Sequence, residues 1–200
     1  NQSLRQYYSH ALTGEDPATQ SETVITREGL NIFPVSYLDS EQKRHVIYIS
    51  SRDGYPAVYD QPLYEEIKKR IKTTGKSPNM ESLHFLQSGF DIFKDQIALG
   101  VKAHRHDVLH LLDRQTGKIL QTISHDSVVT IHSPRFSKDG NQITFTGQHY
   151  NGNSDIYLFT ISSNDLVNLT NDIFTDRDPS FTDDGKTILF CSDRDNDFFN

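Results

Sequence analysis

Ser133-Pro134-Arg135-Phe136-Ser137-Lys138-Asp139-Gly140 leads, one residue on, into the apolar run Gln142-Ile143-Thr144-Phe145. The phrase returns as Asp178-Pro179-Ser180-Phe181-Thr182-Asp183-Asp184-Gly185, ahead of Ile188-Leu189-Phe190-Cys191. A looser copy, Pro34-Val35-Ser36-Tyr37-Leu38-Asp39, precedes Val46-Ile47-Tyr48-Ile49. Each copy has Pro, an aromatic two or three residues later, and Asp five residues later. A phrase that recurs at tens of residues marks a repeat architecture.

A second landmark gives the period. Windows opening at Ala57, Asp107 and Asp155 align without a gap, and their second residues Val58, Val108 and Ile156 stand 50 and 48 residues apart. The prolines stand 100 and 45 residues apart, two units and one. A unit of about 45–50 residues is in the range of a propeller blade. Within the third unit, Ser137-Lys138-Asp139-Gly140 suits a tight hairpin turn, with Gly free to take positive φ. A β-branched run over 142–147, a polar loop, and strands over 155–161 and 167–170 complete four antiparallel strands. The predicted fold is therefore all-β: a propeller segment of four-stranded antiparallel blades, about three complete and a partial fourth. The units fall at 34–84, 85–132, 133–177 and 178–200, the last truncated. Residues 1–33 read as an extension with a single strand over 22–26.

One stretch competes. Leu63, Ile67 and Ile71 repeat at i, i+4, i+8, and alone they read as an amphipathic helix. The repeat register instead places two strands and their turn there, and we favour strands.

On these residues the chain resembles the TolB-type β-propeller repeat, which writes Ser-Pro-x-Trp-Ser-Pro-Asp-Gly, an Ile-Ala-Phe strand, an Asp-Ile-Tyr strand and a closing Leu-Thr. The resemblance spans residues 34–200 and is strongest over 133–195. Pro134, Phe136, Asp139, Gly140, Asp155, Tyr157, Pro179, Phe181, Asp184 and Gly185 occupy the repeat's structural positions. Phe136 and Phe181 stand where Trp is usual, and Lys138 and Asp183 replace the second Pro. The resemblance implies a non-enzymatic scaffold for protein–protein interaction in the bacterial cell envelope or periplasm. The same repeat occurs in propellers of prolyl-oligopeptidase-type serine peptidases. An accessory propeller whose catalytic domain lies outside this chain is the alternative, and a carbohydrate or cell-wall binder the third reading.

Composition narrows the partners. With 34% hydrophobic residues, 12 Phe and 9 Tyr, the chain can build a core. A net charge of −7 lacks the basic footprint of a nucleic-acid binder. No apolar run reaches the ~20 residues of a membrane span. The single cysteine, Cys191, sits in an apolar run and reads as a buried small hydrophobe. A blade buries both faces against neighbours, so an arc exposes apolar sides. The chain, which opens at Asn1, is expected to belong to a longer chain or larger assembly.

Catalytic and cofactor motifs are not visible: there is no G-x-S-x-G elbow and no phosphate loop. His104 and His106 have the spacing of two metal ligands on one strand face, but they fall in an expected hairpin loop. Asp193, Asp195 and Asp197 mimic the start of a calcium loop without its later Gly and Glu. A solvated loop and turn-forming aspartates are the plainer accounts.

Overall fold

Strands and tight turns make up the chain as described in this computed structural model, which covers residues 4–6, 12–16, 21–26, 28–63, 69–73, 80–83 and 89–194. The chain divides into two compact units, Asn1–Ser77 and Pro78–Asn200. No helix among the described residues is long and apolar enough to cross a membrane.

The first unit holds two antiparallel sheets. Strands β1 (Leu4–Gln6), β2 (Leu12–Asp16) and β3 (Ser21–Thr26) form one, in that order. Strands β4 (Asn31–Leu38), β5 (Arg44–Ser50), β6 (Ala57–Pro62) and β7 (Lys69–Thr73) form the first four-stranded blade. Three strands thus stand where the sequence pointed to one. The missed middle strand, Leu-Thr-Gly-Glu-Asp, is poor in β-formers. Pairing on both of its edges satisfies its backbone, which propensity does not reveal. The contested 63–72 stretch ends in a strand, because Lys69 to Thr73 pairs with β6. Residues 64–68 lie outside the described residues.

The second unit is built from antiparallel meanders. Strands β8 (Phe90–Phe93), β9 (Gln96–Ala103), β10 (His106–Asp113) and β11 (Ile119–Ile123) form one four-stranded sheet. Strands β12 (Val128–Phe136), β13 (Gln142–His149), β14 (Ser154–Thr160) and β15 (Asp165–Asn168) form the next. Strands β16 (Asp176–Phe181) and β17 (Ile188–Ser192) form a two-stranded sheet. The fold is all-β, with three complete blades and a partial fourth. The first strands begin at Asn31, Val128 and Asp176, ahead of the prolines that mark the units in sequence.

The repeated turn is built the same way twice. Ser137 Oγ donates to Asp139 Oδ1 at 2.6 Å, and Asn141 N–H donates to the same oxygen at 3.0 Å. Thr182 Oγ1 and Lys186 N–H repeat this on Asp184, at 2.6 and 3.1 Å. The hydroxyl hydrogen bond, then the backbone one, holds each carboxyl below its ordinary range.

Within the second unit, the first strand of each later sheet crosses the face of the sheet before it. Strand β12 packs over β8, β9 and β10, and β16 packs over β12, β13 and β14. One core joins the second and third blades, including Leu109, Leu111, Ile131, Phe145 and Tyr157. Two carboxylates of the second blade accept backbone hydrogen bonds from β12: Asp107 from Ile131 N–H at 3.0 Å, and Asp91 from Phe136 N–H at 2.8 Å. The Phe93 and Phe136 rings lie 5.9 Å apart across the same joint. Gly140, at φ +76°, sits on Phe93, and a Cβ there would stand 2.0 Å from Phe93 Cε1.

The fourth blade is different. Thr144 and Phe145 of β13 are 0% and 1% exposed, while their repeat counterparts Leu189 and Phe190 of β17 are 60% and 37% exposed. Cys191 is exposed for the same reason, which corrects the expectation of a buried thiol.

Candidate functional site

The Pro of the repeated phrase builds more than a turn. The residue before it has left-handed φ in all three copies: Phe33 (53°), Ser133 (50°) and Asp178 (54°). At each of these places the ladder slips, between Ile32 and Val35, His132 and Arg135, and Arg177 and Ser180. Proline has no N–H to give the ladder, so a bulge is the natural way to seat it. A left-handed non-Gly residue costs roughly 1–3 kcal/mol, which the surrounding structure must offset.

The bulge re-aims side chains. Consecutive residues of a regular strand point to opposite faces. Here His132 with Ser133, and Arg177 with Asp178, all line one pocket of about 280 Å³ between the third and fourth blades. Thr146 and Gln148 of β13, Ser154 of β14 and Thr175 complete its wall. Ser133 Oγ donates to Asp178 Oδ1 at 2.7 Å, and Asp178 N–H donates to Thr146 Oγ1 at 3.0 Å. Ser154 Oγ donates to the Asp176 carbonyl at 2.8 Å. Gln148 is committed twice: its Oε1 accepts from Thr130 Oγ1 at 3.0 Å, and its Nε2 donates to the Gly152 carbonyl at 3.2 Å. Arg177 is exposed and has no hydrogen-bond or ion-pair partner among the described residues. Ser133 and Asp178 belong to the repeated phrase, but the sequence does not show that they share a pocket, because its members are dispersed over some 45 residues. The signal that could have found it is the repeated Pro with its preceding residue.

Below the pocket lies an acidic group. Asp155, Asp172 and Asp176 each offer an oxygen within 4.8 Å of the others. Arg194 already supplies a cation: its Nη2 donates to Asp172 Oδ2 and Asp176 Oδ2, both at 2.8 Å. Asp176 is fully buried, and its Oδ1 has no hydrogen-bond partner among the described residues. The first blade repeats the arrangement with Arg52, which donates through Nη2 to Thr26 Oγ1 and Tyr48 OH, both at 2.7 Å, and to Asn31 Oδ1 at 3.4 Å. Asn31 and Asp176 stand alike, three residues before Pro34 and Pro179. In the third blade His149 takes the Arg position, 3.3 Å from Asp155 Oδ2, and Ile131 takes that of the acid. In the first and fourth blades the arginine is a clasp that ties the end of the second strand to the start of the first, while His149 ties the end of β13 to β14.

The sequence-based metal candidates are scattered. His104 is exposed in the β9–β10 turn, and His106 opens β10 half-buried. Asp193 Oδ1 accepts the Thr175 N–H at 2.7 Å, while Asp195 and Asp197 lie outside the described residues. Of the repeat positions, Pro134, Pro179, Asp155 and Tyr157 are buried, and Phe181 is half-buried. A Ser–His contact exists, Ser127 Oγ to His125 Nδ1 at 2.7 Å, in an exposed turn. Among the described residues no carboxylate orients that histidine, so it lacks the third member of a hydrolytic triad.

The architecture matches solved propellers. TolB from Acinetobacter baumannii superposes with a TM-score of 0.69 at 18% identity, covering 94% of this chain and 45% of that one. The chain has the fold of a TolB-type β-propeller. A TolB-designated protein from Agrobacterium tumefaciens gives 0.68 at 14% identity, covering 100% of this chain and 72% of that one. An acylaminoacyl peptidase gives 0.57 at 11% identity, covering 94% of this chain and 33% of that one. No protein-family model matches the sequence, and no curated protein matches it significantly.

Proposed function

We propose that this chain is an arc of a non-enzymatic propeller scaffold that engages a protein partner in an exported setting such as the periplasm. The observation that carries the reading is the uncovered strand β17. Its Leu189 and Phe190 are 60% and 37% exposed, in positions that the third blade buries. Exposed apolar strand surface of this kind marks a polypeptide interface. Further blades of a longer chain, or a partner chain, would supply the cover. Sedimentation and light scattering of the purified chain test the reading. Self-association, reduced by Leu189→Lys with Phe190→Lys, supports it. A compact monomer near 22.9 kDa, unchanged by those substitutions, argues against it.

The likeness to acylaminoacyl peptidase supports a second reading, an accessory propeller of a prolyl-oligopeptidase-type serine peptidase whose catalytic domain lies outside this chain. The coding sequence beyond Asn200 separates the two. A G-x-S-x-G-bearing α/β domain there favours the peptidase, and further repeats followed by a stop favour the scaffold.

A further inference from the structure

We propose that the pocket between the third and fourth blades binds a single carboxylate group, with Arg177 as its cation and the Thr146 and Thr175 hydroxyls as its other donors. The proposal rests on the pocket and is independent of the scaffold reading. Hydrogen-bond bookkeeping selects the ligand class. Ser133 and Ser154 have already spent their hydroxyl protons on Asp178 and the Asp176 carbonyl, and Gln148 one of its two amide protons on the Gly152 carbonyl. Thr146 Oγ1 accepts from Asp178 N–H, which leaves its own proton to donate. The Thr175 hydroxyl, like the Arg177 guanidinium, has no partner among the described residues. The open groups are therefore mainly donors, and one of them carries a full charge. A wall of unspent donors calls for an acceptor-rich ligand.

Charge and shape narrow it further. The guanidinium fork matches the two oxygens of a planar carboxylate. Asp178 shares the wall, so a dianion such as phosphate meets more repulsion than a monoanion does. Among the described residues no Phe, Tyr or Trp lines the pocket to stack against a sugar ring, and the one ring present is the His132 imidazole. About 280 Å³ admits a side chain or chain terminus rather than a large cofactor. The carboxylate can belong to an acidic side chain, to a peptide C-terminus or to a free organic acid.

The test is an NMR titration of the isotope-labelled full chain. Probes are N-acetyl-aspartate α-amide for a side chain, N-acetylglycine for a C-terminus, acetate for a free acid, N-acetylglycine amide as the uncharged control, and inorganic phosphate. Saturable shifts at Thr146, Thr175 and Arg177 with an acid, and none with the amide, are expected. The tightest acid names the source. Arg177→Gln should weaken binding by about tenfold or more, the loss of one charged hydrogen-bonding partner, with Arg177→Lys intermediate. Arg177 is exposed, so the melting temperature should hold and report that the fold is intact. Thr146→Val should weaken binding without abolishing it. Equal binding of acid and amide, tighter binding of phosphate than of every carboxylate, unaltered affinity in Arg177→Gln, or shifts that map elsewhere would each overturn the proposal.

Discussion

Gly140→Ala tests how the blades are joined. Two separate penalties act at this residue. Its φ of +76° lies in the left-handed region, where a Cβ costs roughly 1–2 kcal/mol. The new Cβ would also stand 2.0 Å from Phe93 Cε1 and 2.1 Å from Cδ1, so the ring must leave its place. Phe93 pairs with Phe136 at 5.9 Å, and losing an aromatic pair of this kind costs about 0.5–1.5 kcal/mol. The expected total is about 2–3 kcal/mol. Gly185→Ala is the internal control. It occupies the same place in the next copy of the turn at φ +68°, but its nearest outside atom is Lys138 Cβ at 3.9 Å. That variant should lose only the backbone part. Urea unfolding followed by far-ultraviolet circular dichroism reads the difference as a midpoint shift at constant slope. In a Phe93→Ala background, Gly140→Ala should fall back toward the cost of Gly185→Ala, a coupling of about 1 kcal/mol. If the two glycine variants cost the same, and the Phe93 background changes nothing, the turn of the third blade does not depend on the ring of the second, and the account of the joint is wrong.

Arg194→Met should destabilise the fold by about 3–5 kcal/mol, because it strands the fully buried Asp176 carboxylate without its cation; adding Asp176→Asn should recover much of the loss in the same urea assay. Burial raises the pKa of Asp91 above 3.8, against opposing hydrogen bonds from Phe136 and Ile92 N–H. Its proton is thus bound more tightly in the folded state. The contribution is full below about pH 3.8 and is lost as pH rises through the raised value, so Asp91→Asn should remove that component from a stability–pH profile. Asp139 behaves with the opposite sign. Hydrogen bonds from Ser137 and Asn141 depress its pKa, so its contribution is present above 3.8 and lost as pH falls through the folded value. Asp139→Asn should flatten that acid limb in thermal melts across pH 2–5.

Much of the blade was legible because its determinants are local. The Ser-Lys-Asp-Gly turn needs a hydroxyl, a carboxylate and a glycine within four residues, and the sequence prints all three together. Strands β13 and β14 follow from β-branched and aromatic runs bounded by turn residues. Local signals also competed with the repeat register or were weak. Residues 63–72 carry helical spacing, yet Lys69 to Thr73 forms β7, because pairing with β6 outweighs the intrinsic preference of a short segment. Strand β2 carries almost no strand signal and exists because β1 and β3 flank it. Cys191 reads as core by its neighbours, and its exposure depends on whether another strand covers β17.

The sequence by itself determined the all-β repeat, its period, the turns and the likeness to TolB-type propellers. Tertiary structure alone decided the pocket and the clasps. Arg194 reaches Asp172 and Asp176 across a hairpin, and Arg177 lines one pocket with Ser133 and Thr146 at a joint between blades. The physical reason lies in the proline itself. Its missing N–H is a property of one residue and can be read from the chain. The bulge it forces turns two neighbouring side chains to one side, and which groups then meet depends on a strand some 45 residues away.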